Sequence, residues 1–214
     1  MKTGAFFDLD NTLLSTNTSI SWGFHMLRNG NLPVKFFLTA GFYGSLYKLK
    51  LYPFDLLMKM LLKTLKGKSA KKTLEITKDY FGKKKIFMYR PRMLQQVGWH
   101  KSKKHEIVIL TQAFDFIAKI FAKDLGIKYL ISSEVEIRNN RFTGNVKPCV
   151  SYQKDDLMKK IASRLNIDLK KSYAYTDSIG DVEMLENVGH KYVINPGFKL
   201  KLIAKNKKWN IWEI

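Results

Sequence analysis

The chain has 214 residues, 45% of them hydrophobic and 13% aromatic, which excludes an intrinsically disordered protein. Its length fits one domain, or one domain with a small insertion. Lys and Arg number 38 against 18 Asp and Glu, and the formal net charge is +20. Because the lysines are spread over most of the sequence, the charge favours a solvated surface and disfavours a nucleic-acid site, while a peripheral contact with an anionic membrane is an expectation to test.

A single cysteine, Cys149, excludes a disulfide within the chain, and no Cys-His signature surrounds it. This usage is typical of a reducing compartment, so we expect a cytoplasmic protein and a packing role for the thiol. Acidic residues at Asp8 and Asp10 interrupt any signal-peptide apolar region. The longest weakly polar run, residues 36–47, is too short to cross a bilayer.

The chain opens with an apolar run at residues 4–7 that predicts one buried strand. Residues 17–88 show helical spacing of apolar side chains and no strand signal, which predicts a set of helices. Thr18 or Ser19 is expected to cap the first of them, and Ser69 to open a later one.

Beyond residue 91 helices and strands alternate. The predicted strands are residues 106–110, 128–132, 134–138, 141–146, 172–175, 191–194 and 209–214, and the predicted helices are residues 93–100, 113–125, 150–165, 182–186 and 200–204. Asn139 and Asn140 predict a hairpin turn, because Asn tolerates a positive φ. This alternation predicts an α/β fold with a doubly wound, mainly parallel sheet.

Polar side chains follow several of these strands. Asp8 and Asp10 come directly after the first strand, Thr111 after the next, and Asp177 and Asp181 after a later one. In parallel sheets ligands bind beyond the carboxyl ends of the strands, so we expect these residues to converge. A carboxylate can attack phosphorus, a second can move a proton, and further carboxylates can anchor Mg²⁺.

Each feature also has a plainer interpretation. The first acid pair could form a turn or a helix cap. Thr111 could cap the helix that follows it, and Asp181 could be a first-turn acid favoured by the helix dipole. Lys154, near the start of the predicted helix 150–165, is the candidate ammonium that would offset phosphate charge. Lys147, just before the same helix, competes with it.

Four motifs occur in a recognisable order: D-L-D-N-T at residues 8–12, I-L-T at 109–111, Lys154, and T-D-S-I-G-D at 176–181. Together they resemble the haloacid dehalogenase (HAD) superfamily, and most of all its phosphoserine-phosphatase-like subfamily IB. The resemblance implies a Rossmann-like HAD core at residues 1–16 and 89–214. It implies an all-helical cap at residues 17–88, inserted after the first strand.

The resemblance also implies a Mg²⁺-dependent phosphatase with an aspartyl-phosphate intermediate on Asp8 and with Asp10 as general acid and base. The phosphoryl oxygens would be bound by Thr111, Lys154 and the backbone N–H groups of Asn11 and Gln112. Mg²⁺ would be held by the Asp8 carboxylate, the Asp10 carbonyl and Asp177, with Asp181 ordering the metal's shell.

The sequence departs from phosphoserine phosphatases at Asn11 and at residues 111–113, where those enzymes carry Ser and Ser-Gly-Gly. The helical segment has few acids to hold an amino group, namely Asp55, Glu75 and Asp79. We therefore expect a small phosphorylated metabolite or a lysophospholipid as substrate. The basic and aromatic residues of this segment could fit a lipid phosphate or a nucleotide, or could simply be its wet and core faces.

An alternative interpretation is a catalytically quiet HAD-like module whose basic surface binds an anionic membrane or nucleic acid. The intact set of motifs disfavours it. Phosphoryl transfer to an acceptor other than water shares the covalent intermediate and stays open. His100 and His105 flank a basic loop, and we predict that both lie at the surface.

Overall fold

The computed structural model describes residues 1–49, 51, 54–147 and 154–214. Within these ranges one sheet contains the strands β1 Gly4–Phe7, β2 Glu106–Phe114, β3 Tyr129–Arg138, β4 Arg141–Lys147, β5 Tyr173–Thr176, β6 His190–Ile194 and β7 Asn210–Trp212. Their order is β4-β3-β2-β1-β5-β6-β7. All neighbours are parallel except β3 and β4.

Helices cover both faces of this sheet. They are α1 Thr18–Arg28, α2 Val34–Lys48, α3 Phe54–Lys63, α4 Ala70–Lys84, α5 Pro91–Ser102, α6 Asp115–Asp124, α7 Lys154–Arg164, α8 Val182–Glu186 and α9 Phe198–Asn206. The predicted α/β fold with a doubly wound, mainly parallel sheet is confirmed. Most predicted elements occur where expected, with ends that differ by a few residues.

Strand β1 lies at the centre of the sheet. All four of its residues are buried, because helices cover both faces of the sheet at this strand. Phe6 and Phe7 point to opposite faces, since successive side chains of a strand alternate. The core on the Phe7 side includes residues of α1, α4, α5 and α6, and the core on the Phe6 side includes residues of α7, α8 and α9.

The strand order reverses next to β1. The chain runs outward from β1 through β2 and β3, then returns to place β5 on the other side of β1. Phe7 pairs with Ile109 of β2 and with Tyr175 of β5, so these three strands end at the same edge. Such a switch point is where open α/β sheets bind their ligands.

The helical segment, α1 to α4, is tied to the sheet by two paired linkers. Leu14 and Tyr89 form an antiparallel bridge, and the Ser15 N–H donates to the Met88 carbonyl at 2.7 Å. The core on the Phe7 side continues into this segment through Trp22 and other apolar residues. The division of the chain into a catalytic core and a helical cap stays a prediction. Across the described ranges, no helix is long and apolar enough to cross a membrane.

Two helix starts test the predicted caps. The side chain of Asn17, rather than that of Thr18 or Ser19, accepts the Ile20 N–H and caps α1. Ser69 caps α4 as predicted, accepting from the Lys72 N–H. Asn is at least as good a cap as Ser or Thr, so the first error is one of position along a polar run.

Two strands run further than predicted. Strand β3 is continuous over Tyr129–Arg138, because its first half pairs with β2 and its second half with β4. Its polar centre stays extended since the buried Ser133 hydroxyl donates to the Gln112 carbonyl at 2.8 Å. Strand β2 extends to Phe114, so α6 starts at Asp115. Cys149 and the predicted helix start at 150–153 lie outside the described residues.

The surface prediction for His100 is wrong, because this side chain is fully buried. Its Nε2 lies 3.0 Å from the Tyr175 hydroxyl, and its Nδ1 lies 2.8 Å from Nδ1 of the half-buried His105. Burial lowers the pKa of His100 to about 3. The lysines around it obscured the pattern: Met93, Val97 and His100 form the inward stripe of α5.

Candidate active site

The predicted site residues come from segments that meet at the carboxyl edge of β1, β2 and β5. Asp8 directly follows β1, and its N–H donates to the Tyr175 carbonyl of β5 at 3.0 Å. Asp177 directly follows β5, and Thr111 is two residues beyond Ile109 of β2. The register of three parallel strands therefore carries these side chains to one edge.

Lys154 joins two carboxylates in the interior. It is the first residue of α7, and its Nζ lies 2.8 Å from Asp8 Oδ1 and 2.8 Å from Asp181 Oδ2. All three side chains are buried. The competing Lys147 lies on β4, where its side chain is 83% exposed and 3.8 Å from Glu134. The structure therefore brings Lys154, and not Lys147, to the first aspartate.

Asp181 is held by more than the lysine. The Thr176 hydroxyl donates to Asp181 Oδ2 at 2.6 Å, while Asp181 Oδ1 is buried without a hydrogen-bond partner among the described residues. The carboxylate precedes α8, a helix of five residues, and does not cap it. Two strong hydrogen bonds to a neighbouring lysine and threonine fix this side chain, so the interpretation as a simple first-turn acid is not needed.

The tight loop after β1 shapes the acid pair. In it the Leu14 N–H donates to the Leu9 carbonyl at 2.9 Å, and Asn11 adopts a left-handed backbone with φ +56°. Asp10 Oδ1 accepts the Thr18 N–H at 3.0 Å, so the second acid is held at the start of α1. Asn tolerates the left-handed conformation better than most residues, which explains Asn11 at the bend.

Two of the groups predicted to bind phosphate, the Asn11 N–H and the Thr111 hydroxyl, already make hydrogen bonds within their own loops. The Asn11 N–H donates to the Thr16 carbonyl at a long 3.3 Å, a bond that phosphate would have to replace. The Thr111 hydroxyl accepts the Ala113 N–H at 3.1 Å within its own loop and does not cap α6. Its hydroxyl proton can still be donated to an anion, since a hydroxyl both donates and accepts.

Burial shifts the pKa values of the two leading acids. Burial raises the pKa of Asp8 to about 8, and the Lys154 ammonium offsets only part of this because two neighbouring carboxylates add to it. Burial raises the pKa of Asp10 to about 6, although the hydrogen bond from the Thr18 N–H lowers it in part. Desolvation also raises the pKa of Asp177.

Burial by itself would lower the pKa of Lys154, but the carboxylates of Asp181 and Asp8 raise it above its ordinary value. The Lys154 ammonium thus faces four carboxylates, those of Asp8, Asp10, Asp177 and Asp181. The Arg90 guanidinium adds one more positive charge near Asp177. The carboxylates outnumber the cationic side chains, so an additional cation would reduce their mutual repulsion and hold Asp8 in its ionised form.

The donor set fits Mg²⁺. In the described part of the chain, no three His, Cys, Asp or Glu side chains gather closely enough to form a metal cage. The predicted set does not need one, because two carboxylates (Asp8 and Asp177) and the Asp10 carbonyl suffice for an ion that keeps several waters. The free, buried Oδ1 of Asp181 is an acceptor that such a water could satisfy.

Buried polar atoms without partners also gather here. Within the described ranges they are Thr18 Oγ1, Gln112 Nε2 and Asp181 Oδ1. Gln112 and Asp181 are predicted site residues, and the N–H of Thr18 donates to Asp10 Oδ1. Proteins rarely leave buried polar atoms unpaired, so their concentration at one place indicates a site built for a polar ligand.

A small apolar cavity of about 50 Å³ lies beside this edge, between the sheet and the helical segment. Its lining includes Ser19, next to the residue that holds Asp10, and Phe114, three residues beyond Thr111. The remaining lining is Trp22, Phe36, Leu61, Leu62, Thr64 and Leu65. The helical segment therefore packs against the sheet here through a largely apolar set of side chains.

Sequence reasoning missed the residues that support the site. Thr12 and Thr176 belong to the quoted motifs, and the Thr12 hydroxyl donates to Asp177 Oδ1 at 3.2 Å. Arg90, in the second linker, donates through Nε to the Asn11 carbonyl at 3.3 Å and through Nη1 to the Ile214 carbonyl. Its position before Pro91, at the end of the helical segment, was the only signal available.

Comparisons with known proteins agree with this geometry. A family model described as haloacid dehalogenase-like hydrolase matches residues 5–186. A histidinol-phosphatase from Neisseria meningitidis serogroup C is 25% identical over 99% of this chain and 98% of its own. A phosphoserine phosphatase from Mycobacterium tuberculosis is 25% identical over 99% of this chain and 70% of its own.

Solved structures share the fold. A protein of unknown function from Bordetella pertussis Tohama I superposes with a TM-score of 0.90 at 22% identity, over 100% of this chain and 99% of the other. A phosphoserine phosphatase with a phospho-aspartyl intermediate analogue gives 0.69 at 18% identity, over 98% and 92%. The predicted HAD core and enzyme class, a HAD-type phosphatase, are confirmed. The family model matches most of the length of this chain, so the chain belongs to the haloacid dehalogenase-like hydrolase family.

Proposed function

We propose that this protein hydrolyses phosphomonoesters through an aspartyl-phosphate on Asp8. The observation that carries the proposal is the buried Lys154 ammonium, 2.8 Å from Asp8 and 2.8 Å from Asp181 at the switch point of the sheet. A buried ion pair is costly to build, and this one lies where a phosphate would need a positive charge.

In the first half of the reaction, a carboxylate oxygen of Asp8 attacks phosphorus, and the ester P–O bond breaks as the new O–P bond forms. The leaving alkoxide takes the proton of Asp10 and departs as an alcohol. A pKa of about 6 suits Asp10 for this task, because a group that titrates near neutrality can both give and accept a proton.

In the second half, water attacks the phosphorus of the aspartyl-phosphate, and Asp10 accepts the proton of that water. Inorganic phosphate leaves, and the Asp8 carboxylate is restored. The Thr18 N–H, 3.0 Å from Asp10 Oδ1, holds the acid in one orientation through both halves. Orientation of this kind lowers the entropic part of the barrier.

Lys154, the Thr111 hydroxyl and the backbone N–H groups of Asn11 and Gln112 would bind the phosphoryl oxygens. Mg²⁺, held by Asp8, Asp177 and the Asp10 carbonyl with Asp181 ordering its shell, would supply further stabilisation of the negative charge that develops on the phosphoryl group. The left-handed bend at Asn11 supports this assignment by turning the loop after β1 sharply.

The substrate we propose is a small phosphorylated metabolite or a lysophospholipid. The helical segment contains only three acidic residues, which argues against tight binding of a substrate that carries an amino group. Phosphoserine and histidinol phosphate, which the names of two relatives indicate, should be tested as substrates, because both relatives align over 99% of this chain.

The test is hydrolysis of p-nitrophenyl phosphate by the purified protein with MgCl₂. We expect Asp8→Asn to lose at least about a thousandfold in kcat, since removal of a nucleophile is the most damaging single change. Asp10→Asn should accumulate phosphate on the peptide that contains Asp8, detected by mass spectrometry after acid quenching. A chelator should abolish the activity, and added Mg²⁺ should restore it.

Equal activity of wild type and Asp8→Asn would end the proposal. In that case the alternative, a quiet module, predicts salt-sensitive binding to vesicles or oligonucleotides that survives Asp8→Asn. If the proposal holds, a panel of phosphoserine, histidinol phosphate, nucleotides, phosphosugars and lysophosphatidate, ranked by kcat/KM, identifies the substrate class.

A further inference from the structure

A stripe of apolar side chains faces solvent along the outer side of α2. Val34, Leu38, Phe42 and Leu49 are spaced by four, four and seven residues, which places them on one face of a helix. Each is between 62% and 71% exposed. Leu49 continues the helical geometry, since its N–H donates to the Ser45 carbonyl at 3.0 Å.

Helix α1 widens this stripe. Phe24 is exposed, and its ring lies 4.8 Å from the ring of Phe37 on α2. Ile20, one turn earlier on α1, is exposed as well. The largest apolar patch of a typical monomer covers about 300–600 Å² and is often functional. On α1, on α2 and just after α2, six large apolar side chains are each more than half exposed.

Helices α1 and α2, which carry the patch, are basic and contain no acid, while Asp79 of the neighbouring α4 lies near His25 on α1. The sequence contains no Asp or Glu between Asp10 and Asp55, a stretch that includes all of α1 and α2. Arg28 and Lys35, at the facing ends of these two helices, are exposed. Residues 17–88 as a whole contain fourteen Lys and Arg against three Asp and Glu, so this segment carries much of the chain's net charge.

This combination selects among the partners that could cover the patch. A second copy of the chain would bring two basic rims together, and their like charges oppose such a contact. Nucleic acid would satisfy the rim but leave the leucines in water. An anionic lipid surface meets both demands, because its acyl layer takes the apolar side chains and its headgroups attract the cations.

We propose that the outer face of α1 and α2 binds reversibly to anionic membranes, with the apolar stripe inserted at the level of the headgroups. The inference does not depend on the phosphatase chemistry, since none of these residues belongs to the site. It would bring the protein to phosphate esters that are held in, or released from, a lipid surface.

The test is flotation of the intact protein with vesicles of phosphatidylcholine alone and of phosphatidylcholine mixed with phosphatidylglycerol. The variant is the double substitution L38E/F42E, which places two negative charges on the stripe. The matched control is F198E/L202E, which adds the same two charges at two exposed apolar residues four positions apart on α9. Hydrolysis of soluble p-nitrophenyl phosphate and the sedimentation coefficient are measured for each protein.

We expect binding to the anionic vesicles, weakened by added salt and reduced at least about tenfold by L38E/F42E, because two apolar side chains are lost from the stripe and two negative charges are repelled by the headgroups. The control should bind like wild type, and soluble hydrolysis should be the same for all three. No preference for anionic vesicles, or equal binding by L38E/F42E and wild type, would overturn the proposal. So would a dimer in solution that L38E/F42E dissociates, since the patch would then be a self-association surface.

Discussion

The carboxyl edge of the sheet and the outer face of the helical segment treat charge in opposite ways. At the edge, Lys154 is buried and its ammonium lies 2.8 Å from each of two carboxylates. On the outer face, Lys35 extends into solvent while Leu38 and Phe42 are exposed beside it. A charge in the interior must have a fixed partner, whereas a charge in water needs none.

This difference separates two uses of the same residue type. In the interior one lysine is positioned by the fold and can act on a bound phosphate. On the surface many lysines act together as a field, and their individual positions matter little. Substitutions of equal size in the two regions should therefore have very unequal effects.

The largest effect on stability is expected for Lys154→Met. It leaves the buried carboxylates of Asp8 and Asp181 without their cation, and we expect the free energy of unfolding to fall by about 3 kcal/mol or more. Lys71→Met, an exposed lysine on α4, should change it by less than about 0.5 kcal/mol. Urea unfolding at neutral pH without added metal measures both, and equal losses would contradict the comparison.

A pH titration extends the same contrast to histidine. The folded pKa of His100 is about 3, below its ordinary 6.5, so its contribution is complete above pH 6.5 and is lost as the pH falls toward 3. We expect this residue to cost about 2 kcal/mol of stability between pH 7 and pH 5. His100→Gln should flatten that slope.

The matched control is His25→Gln on α1, where His25 is only half-buried and stacks on Tyr80. Burial also lowers the pKa of His25, so this variant should remove a smaller part of the acid slope. If His25→Gln flattens the dependence of the free energy of unfolding on pH and His100→Gln does not, protonation of His100 is not the cause of the loss of stability in acid.

A smaller effect is expected at Arg90, which lies in the linker after the helical segment and contacts the loop that follows β1. Its guanidinium donates to the carbonyls of Asn11 and Ile214, and its backbone N–H donates to the Leu13 carbonyl at 3.0 Å. We expect Arg90→Leu to lower kcat about tenfold with little change in KM, because the loop that carries Asn11 loses a support.

Arg90→Lys should recover only part of that loss, since an ammonium cannot reach two carbonyls with a planar fork. Circular dichroism checks that both variants are folded. A change confined to KM would assign Arg90 to substrate binding instead of to the support of the loop.

Much of the fold was predictable because strands and helices have different apolar spacings. The all-apolar run before Asp8 predicted a buried strand, and the Asn139-Asn140 pair predicted a hairpin whose two residues have φ +48° and +58°. Errors arose where a local pattern was ambiguous. The polar centre of β3 looked like a break, but its pairing with two neighbours keeps it extended.

The candidate site was predictable in its residues but not in its connections. The motifs named Asp8, Lys154 and Asp181, yet no spacing could say that one ammonium binds both carboxylates. The roles of these residues stay predictions until the variants are measured. Arg90 escaped because it acts through backbone carbonyls, which carry no sequence signal.

The sequence by itself determined the chemistry available: an acid pair after the first strand, a lysine, and two further acids in a fixed order. Only the tertiary structure decided which lysine reaches the first aspartate, that His100 is buried, and that the apolar residues of α2 face water. The physical reason is that composition and spacing fix local conformation, whereas burial and pairing depend on segments far apart in the chain.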